Sequence, residues 1–349
     1  MIPPRLPRHP RRSLVGFSAA QLAQTARGGL RYALARATGT DAWISVVLLV
    51  TMRCNLRCGY CDFPRQRPEH ELSTKQVFTL LEQLRRMGTV RLSLSGGEPL
   101  LREDLGAICT RARELGFITS VVTNGTLLAE RHRDVQAADY LFCTLEGTPG
   151  VHARERGEGS WRRVVEALKT LDGSGRPRLG LIFPVHRGNT ESLEAVTDLA
   201  EELSLKVFFQ PVQERPGWRG PRFNGYLDQQ AISAAFSRIL RWKQRGRPVG
   251  NSSYYLRLMS SGRWPETAGS CLAGRFFLTI LPDGSVRSCC MVPLDGPGVP
   301  LSDYIATRGL YRFPRIQRPG CAGCAISPYL ESQRILQLDW RTLLNALRI

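Results

Sequence analysis

The sequence predicts an α/β fold: a parallel sheet closed or half-closed by βα units, followed by a small α+β region built on a hairpin. Three observations predict it. From residue 43 to 211, short β-branched apolar runs alternate with stretches of helical period, the pattern of successive βα units. Polar, glycine-rich clusters fall directly after the predicted strands, at the strand ends where such folds place their sites. Beyond residue 228 the pattern changes, and Asp283-Gly284 joins two strands flanked by cysteines, a hairpin signal. With 349 residues and 42% hydrophobic content, one barrel-sized domain and a smaller one can both fill a core.

Taken in order, residues 1–41 form a basic extension. Pro3, Pro4 and Pro7 bar a regular helix at its start, and residues 13–36 read as an amphipathic helix interrupted near Gly28-Gly29. A basic amphipathic segment of this kind either packs across the barrel or lies on an anionic membrane. Residues 42–227 carry six βα repeats, with strands expected at 43–50, 90–95, 118–123, 139–145, 178–185 and 206–211. Helices are expected at 73–87, 103–115, 127–136, 160–172 and 189–203. Residues 212–230, rich in Pro, Gly and Arg, read as a linker or flap, and a helix at 228–245 opens the last domain, 228–349.

No run approaches the roughly 18–20 apolar residues that cross a bilayer, and the broken N-terminal segment is a poor signal peptide. The ten cysteines fall into groups, with only Cys109 and Cys143 apart; Cys109 lies within a predicted helix and Cys143 next to the inward-facing Thr144, so both are expected in the core. That grouping points to metal ligation in a reducing cytosol rather than to disulfides. The net charge of +18 suits an anionic partner, substrate or lipid surface. No RNA-binding motif and no interleaved aromatic and basic platform is present, so nucleic acid is not expected as a partner.

Chemistry concentrates after the first strand, where Cys54, Cys58 and Cys61 stand at a CxxxCxxC spacing with Tyr60 before the last. Soft thiolates so close together suit iron–sulfur or zinc, and three of them leave the fourth iron of a cubane without a protein ligand. After the second strand comes Ser95 to Pro99, Ser-Gly-Gly-Glu-Pro. Gly96 and Gly97 allow close backbone approach, and Glu98 can accept from a cationic amine. Thr123 to Thr126, Thr-Asn-Gly-Thr, is a turn after the third strand, and Thr144-Leu-Glu-Gly147 ends the fourth. In the last domain Cys271 precedes the hairpin, Cys289-Cys290 closes it, and Cys321 and Cys324 form a CxxC knuckle. One cysteine from each of the first two places with both of the knuckle makes a tetrahedral sulfur set. Neighbouring residues on a strand face opposite ways, so either Cys289 or Cys290 is the third ligand. The other is a packed thiol or a hydrogen-atom donor to the substrate, which makes both candidate catalytic residues.

These motifs and their order resemble the radical S-adenosylmethionine (radical SAM) superfamily over roughly 170 residues. The resemblance implies a partial (βα)6 TIM-like barrel with a [4Fe-4S] cluster on Cys54, Cys58 and Cys61. S-adenosylmethionine (SAM) would be held by Tyr60, Gly96, Gly97, Glu98, Pro99, Asn124, Thr144 and Arg156. Arg156 keeps the arginine of the usual HDxxRG pattern as a partner for the SAM carboxylate. Glu146 and Ala153 stand where relatives often have Asp, and His152 either caps its loop or touches a ligand. Asn189 and Gln210 are further candidates for the cavity wall. The C-terminal cysteines resemble a Twitch or SPASM-type auxiliary domain in its one-cluster form, implying a second [4Fe-4S] cluster. An external electron donor of flavodoxin or ferredoxin type is implied as well.

The expected reaction is reductive cleavage of SAM to a 5′-deoxyadenosyl radical that removes a hydrogen atom from a small-molecule or lipid-like substrate, giving net dehydrogenation or epimerisation. A spare thiol in the cavity favours epimerisation. A peptide-modifying maturase is the second reading, although residues 1–41 are short for the peptide-binding domain that often precedes such barrels. A non-enzymatic zinc or iron–sulfur protein that binds nucleic acid is the third.

Overall fold

A computed structural model describes residues 17–66, 70–171, 177–214, 222–291, 299–300 and 323–336, with side chains except at 268–270 and 299–300. Six parallel strands, β1 (Ser45–Thr51), β2 (Arg91–Gly96), β3 (Ile118–Thr123), β4 (Tyr140–Thr144), β5 (Arg178–Val185) and β6 (Lys206–Pro211), lie side by side in chain order. They are found at the expected places, three of them with the expected bounds. Residue alternation gives each strand two faces. Val46, Leu48 and Val50, Leu92 and Leu94, Leu141 and Cys143, and Leu181, Phe183 and Val185 are buried in one continuous core with the helices. The other face carries half-buried residues such as Ser93, Ser120, Phe142, Ile182, Phe208 and Gln210. It lines an open lumen, as expected of a partial barrel. Cys109 and Cys143 are core residues, as the sequence predicts.

The helices that cover the outer face are α2 (Thr74–Arg86), α3 (Leu105–Glu114), α4 (Leu128–Arg131), α6 (Ser160–Leu171) and α7 (Leu193–Glu202), whereas α5 (Pro149–Arg156) follows β4 and buries His152 and Arg156 outside that core. Helix α2 starts at a capping box in which Ser73 accepts from the backbone of Gln76 and the Gln76 side chain accepts from Ser73. The predicted helix at 127–136 divides into α4 and a 3-10 turn at His132–Val135, and α5 was read only as part of a motif.

Preceding the barrel, α1 (Ala19–Thr38) runs without interruption through Gly28 and Gly29, contrary to the expected break. The reason is tertiary. A Cβ on Gly28 would sit 2.2 Å from Val90 Cγ2 and 2.7 Å from the Gly88 carbonyl, so glycine is what lets the helix lie against the sheet's lower end.

After β6, α8 (Gln229–Gln244) and α9 (Ser253–Ser260) pack together and lead to β7 (Phe277–Ile280), β8 (Ser285–Arg287) and β9 (Val299–Pro300). The hairpin about Asp283-Gly284 is present, but it extends the barrel sheet: β7 pairs parallel with β1, and β8 and β9 follow antiparallel. The helix α10 (Ser327–Leu336) follows, tied to β6 by Gln210 Oε1, which accepts from the Ser327 backbone at 3.3 Å. Gln210 is thus a strut between the two regions. Cys321 lies outside the described residues.

Candidate active site

The loop leaving β1 is built before any ligand arrives. Gly97 N donates to the Thr51 carbonyl and Glu98 N to the Arg53 carbonyl, both at 2.8 Å. A Cβ on Gly96 would lie 2.1 Å from Thr51 O, and one on Gly97 2.2 Å from Arg53 O. The paired glycines therefore bring β2 against the root of the cysteine loop, where the sequence alone suggested close approach to a ligand. Gly96, at φ +135°, also adopts a backbone that side chains disfavour.

Glu98 is fully buried. Its Oε1 accepts from Leu100 N at 3.0 Å and Thr123 Oγ1 at 2.6 Å, and its Oε2 from Asn124 N at 2.7 Å. It caps the short turn Pro99–Leu101 and binds the ends of β2 and β3 together. Burial pushes its carboxyl up, against these hydrogen bonds and the positive Arg156, which lower it. Asn124 continues the clamp. Its Nδ2 donates to Asn55 Oδ1 at 2.8 Å and approaches Cys54 Sγ at 3.9 Å, while its Oδ1 accepts from Thr126. Asn55 Nδ2 closes the ring onto Thr126 Oγ1 at 2.8 Å. Asn55 escaped the sequence reading because it sits inside the cysteine spacing, where only the thiols carried a signal.

On the other side of the loop, Tyr60 donates its hydroxyl to Glu146 Oε1 and accepts from Arg156 Nη2 at 2.7 Å. Arg156 Nε reaches the same Glu146 oxygen at 2.7 Å. Asn189 Nδ2 lies 3.3 Å and His186 Nε2 3.4 Å from Glu146 Oε2. Glu146 is therefore the buried hub of β4, β5 and the cysteine loop. His152 caps its loop, Nδ1 accepting from Glu146 N at 3.1 Å, and burial with Arg156 nearby lowers its pKa to about 4. The ring is neutral at physiological pH. Thr144 ends β4 nearby, 9% exposed. Phe223, in the predicted flap, meets Tyr60 and His186 with ring centroids 5.7 and 5.6 Å away. Only the fold could show which aromatic of the predicted linker or flap meets the loop.

Cys58 lies within charge range of both Cys54 and Cys61, and Cys54 feels both Glu98 and Arg156. Burial pushes the Cys58 thiol up to about 12. Such a thiol stays protonated in neutral water, and a soft metal is what deprotonates it. Leu56 N donates to Cys54 Sγ at 3.4 Å, a backbone contact suited to a thiolate. The donor set fits an iron–sulfur cluster. Among the described residues no three His, Cys, Asp or Glu side chains converge on a single ion.

Residues 48–200 match the Radical SAM superfamily. Over that stretch the chain is similar to a radical SAM domain. The matched region takes in the end of β1, the cysteine loop and β2 to β5, and stops before β6. Solved structures agree in fold. SuiB of Streptococcus suis bound to S-adenosylmethionine superposes at TM-score 0.66 with 15% identity, over 81% of this chain and 69% of that one. The same protein bound to its precursor peptide SuiA gives 0.64 at 15% identity, over 78% and 66%. The anSMEcpe structure with AdoMet and the Cp18Cys peptide gives 0.59 at 17% identity, over 77% and 81%. The chain thus spans about two thirds of the length of SuiB.

The second group of cysteines gathers on the lumen side of the sheet. Cys271, Cys289, Cys290 and Cys324 all pack in one small cluster with Val47, Phe277, Ile326 and Tyr329. Met291 N donates to Cys289 Sγ and Ile326 N to Cys324 Sγ, each at 3.4 Å, repeating the turn seen at Cys54. The Cys290 side chain meets the Tyr329 hydroxyl, which also lies 3.2 Å from Thr279 Oγ1.

Proposed function

We propose that this protein is a radical SAM enzyme acting on a small-molecule or lipid-like substrate, with net dehydrogenation or epimerisation as the outcome. The observation that carries the reading is the convergence of Cys54, Cys58, Cys61, Glu98, Asn124, Tyr60 and Arg156 at the ends of β1 to β4. Cys54, Cys58 and Cys61 would hold a [4Fe-4S] cluster, and when bound, cluster and SAM together supply a 5′-deoxyadenosyl radical that takes a hydrogen atom from carbon.

The chain's own part is positioning and dryness. Glu98 is fixed by three donors, and its Oε2, with one of them, has room to accept from the methionine amino group. Arg156 uses Nε and Nη2 on Glu146 and Tyr60, leaving Nη1 for the methionine carboxylate. Asn124 and Thr144 border the space for the nucleoside, and Phe223 shields the loop. An apolar substrate suits the lumen, where Phe142 stacks 6.2 Å from Tyr140 and meets Phe208 edge-on at 5.4 Å.

Cys271, Cys289 and Cys324, with Cys321 as the expected fourth, are proposed to hold an auxiliary [4Fe-4S] cluster. The backbone donor on Cys289 matches those on Cys54 and Cys324, which favours Cys289 as ligand. Cys290, beside the Tyr329 hydroxyl, is then the candidate hydrogen-atom donor. A flavodoxin- or ferredoxin-type protein would supply electrons.

The decisive experiment is anaerobic reconstitution with iron and sulfide, followed by an assay for 5′-deoxyadenosine from SAM. About eight irons per chain with SAM cleavage are expected; zinc alone and no cleavage would end the enzyme reading. Cys289→Ser should lower the iron to about four per chain, whereas Cys290→Ser should keep about eight. The reverse result would exchange their roles.

A peptide substrate is the second reading, favoured by the SuiA- and Cp18Cys-bound structures of similar fold. Stimulation of SAM cleavage by cell fractions separates the two. A solvent-extractable, protease-resistant stimulant is expected; one destroyed by protease would transfer the assignment to a peptide.

A further inference from the structure

Helix α1 is mounted with its faces reversed. The buried side consists of Gln21, Gln24, Gly28 and Ala35. Gln21 Nε2 donates to the Phe117 carbonyl at 3.2 Å and to both Asp139 oxygens at 3.0 Å, and Gln24 Nε2 donates to the Thr89 carbonyl at 2.7 Å. Polar side chains thus fasten the helix to the lower ends of the strands, opposite to the site. The apolar side looks outward. Leu22, Leu30 and Leu34 are 56%, 74% and 56% exposed. At about 100° per residue they fall within an arc of about 120°, opposite the glutamines, and alanines fill the spaces between them.

Arginines frame this stripe. Arg27 and Arg31 stand along one edge and Arg36 along the other, all exposed, placed so that their stems can lie flat while the heads reach outward. Residues 1–40 contain seven arginines and no Asp or Glu. Such a framed stripe does not suit a second copy, because the facing helix would bring the same arginines with no carboxylate to meet them. An apolar centre with a purely cationic border complements one surface in particular, hydrocarbon beneath anionic headgroups.

We propose that the outward face of α1 docks this protein on an anionic lipid surface, with Leu22, Leu30 and Leu34 entering the headgroup boundary and Arg27, Arg31 and Arg36 against the headgroups. The inference rests on α1 alone and stands or falls independently of the radical chemistry.

The test is co-sedimentation of the full chain with vesicles of phosphatidylcholine, alone or with about one third phosphatidylglycerol. Binding to the anionic vesicles is expected to be at least about tenfold tighter and to weaken as salt rises. The triple variant Leu22→Ser, Leu30→Ser, Leu34→Ser should lose it, and so should Arg27→Gln, Arg31→Gln, Arg36→Gln, both at unchanged melting temperature because these side chains are exposed. The proposal is overturned if the full chain stays in the supernatant at low salt, if both vesicle types bind equally, or if the leucine variant binds as well as the parent. A soluble dimer that the leucine variant converts to monomer, without vesicle binding by the parent, would assign the stripe to self-association and overturn it too.

Discussion

Alanine at any one of Cys54, Cys58 and Cys61 is expected to lower reductive SAM cleavage at least about a thousandfold, and the triple variant should fare no worse than the singles. Residues that act as a unit lose their effect together, so their losses do not add. The unit here is structural as well as chemical. Cys54 is held by Leu56 N and Asn124, Cys61 N donates to the Cys58 carbonyl at 3.1 Å, and Cys58 lies in the field of both other thiols. The check is 5′-deoxyadenosine formation and bound iron, measured together on each variant. Full turnover by any single variant would remove the three-thiol site from the reaction. The C-terminal cysteines provide the contrast: their loss should take iron only from the proposed auxiliary site and leave the first intact.

Glu146→Gln is expected to destabilise the fold by about 3–5 kcal/mol, a drop of roughly 5–15 °C in melting temperature for a chain of this size. The Glu146 side chain is 0% and that of Arg156 7% exposed, so the neutral amide leaves a buried guanidinium without its counter-charge and turns donors toward Tyr60 and Asn189. Glu146→Asp keeps the charge but shortens the reach, and should cost about 1–3 kcal/mol. The pH dependence follows from the same contacts. Burial pushes the Glu146 carboxyl up, but Arg156 and the hydrogen bonds from His186 and Tyr60 outweigh it and hold it below the usual range. A depressed folded value means that its contribution is complete above the unfolded carboxyl pKa of about 4.3. It is lost as pH falls through the folded value. Glu98, raised by burial, acts in the opposite sense and gains relative stability on acidification. Melting curves between about pH 3 and 7 should therefore show an acid-labile component in the parent that Glu146→Gln lacks. A flat difference between the two would refute the assigned coupling.

Both effects depend on residues whose partners are distant in the chain, and this decides what each level of description could provide. Local composition determined the strands, the cysteine loop and the order of motifs, because alternation, β-branching and thiol spacing are written in consecutive residues. It also placed Cys109 and Cys143 in the core, from helix position and strand parity alone. It could not determine that Gly96 and Gly97 serve the loop's backbone, that Glu146 gathers Tyr60, Arg156, His186 and Asn189, or that the hairpin joins the barrel sheet through β1. Nor could the α1 pattern say which of its faces is inside. Those outcomes are pairings across dozens of residues, set by close approach and by the cost of leaving a buried polar group unsatisfied, and only the folded chain brings the partners together.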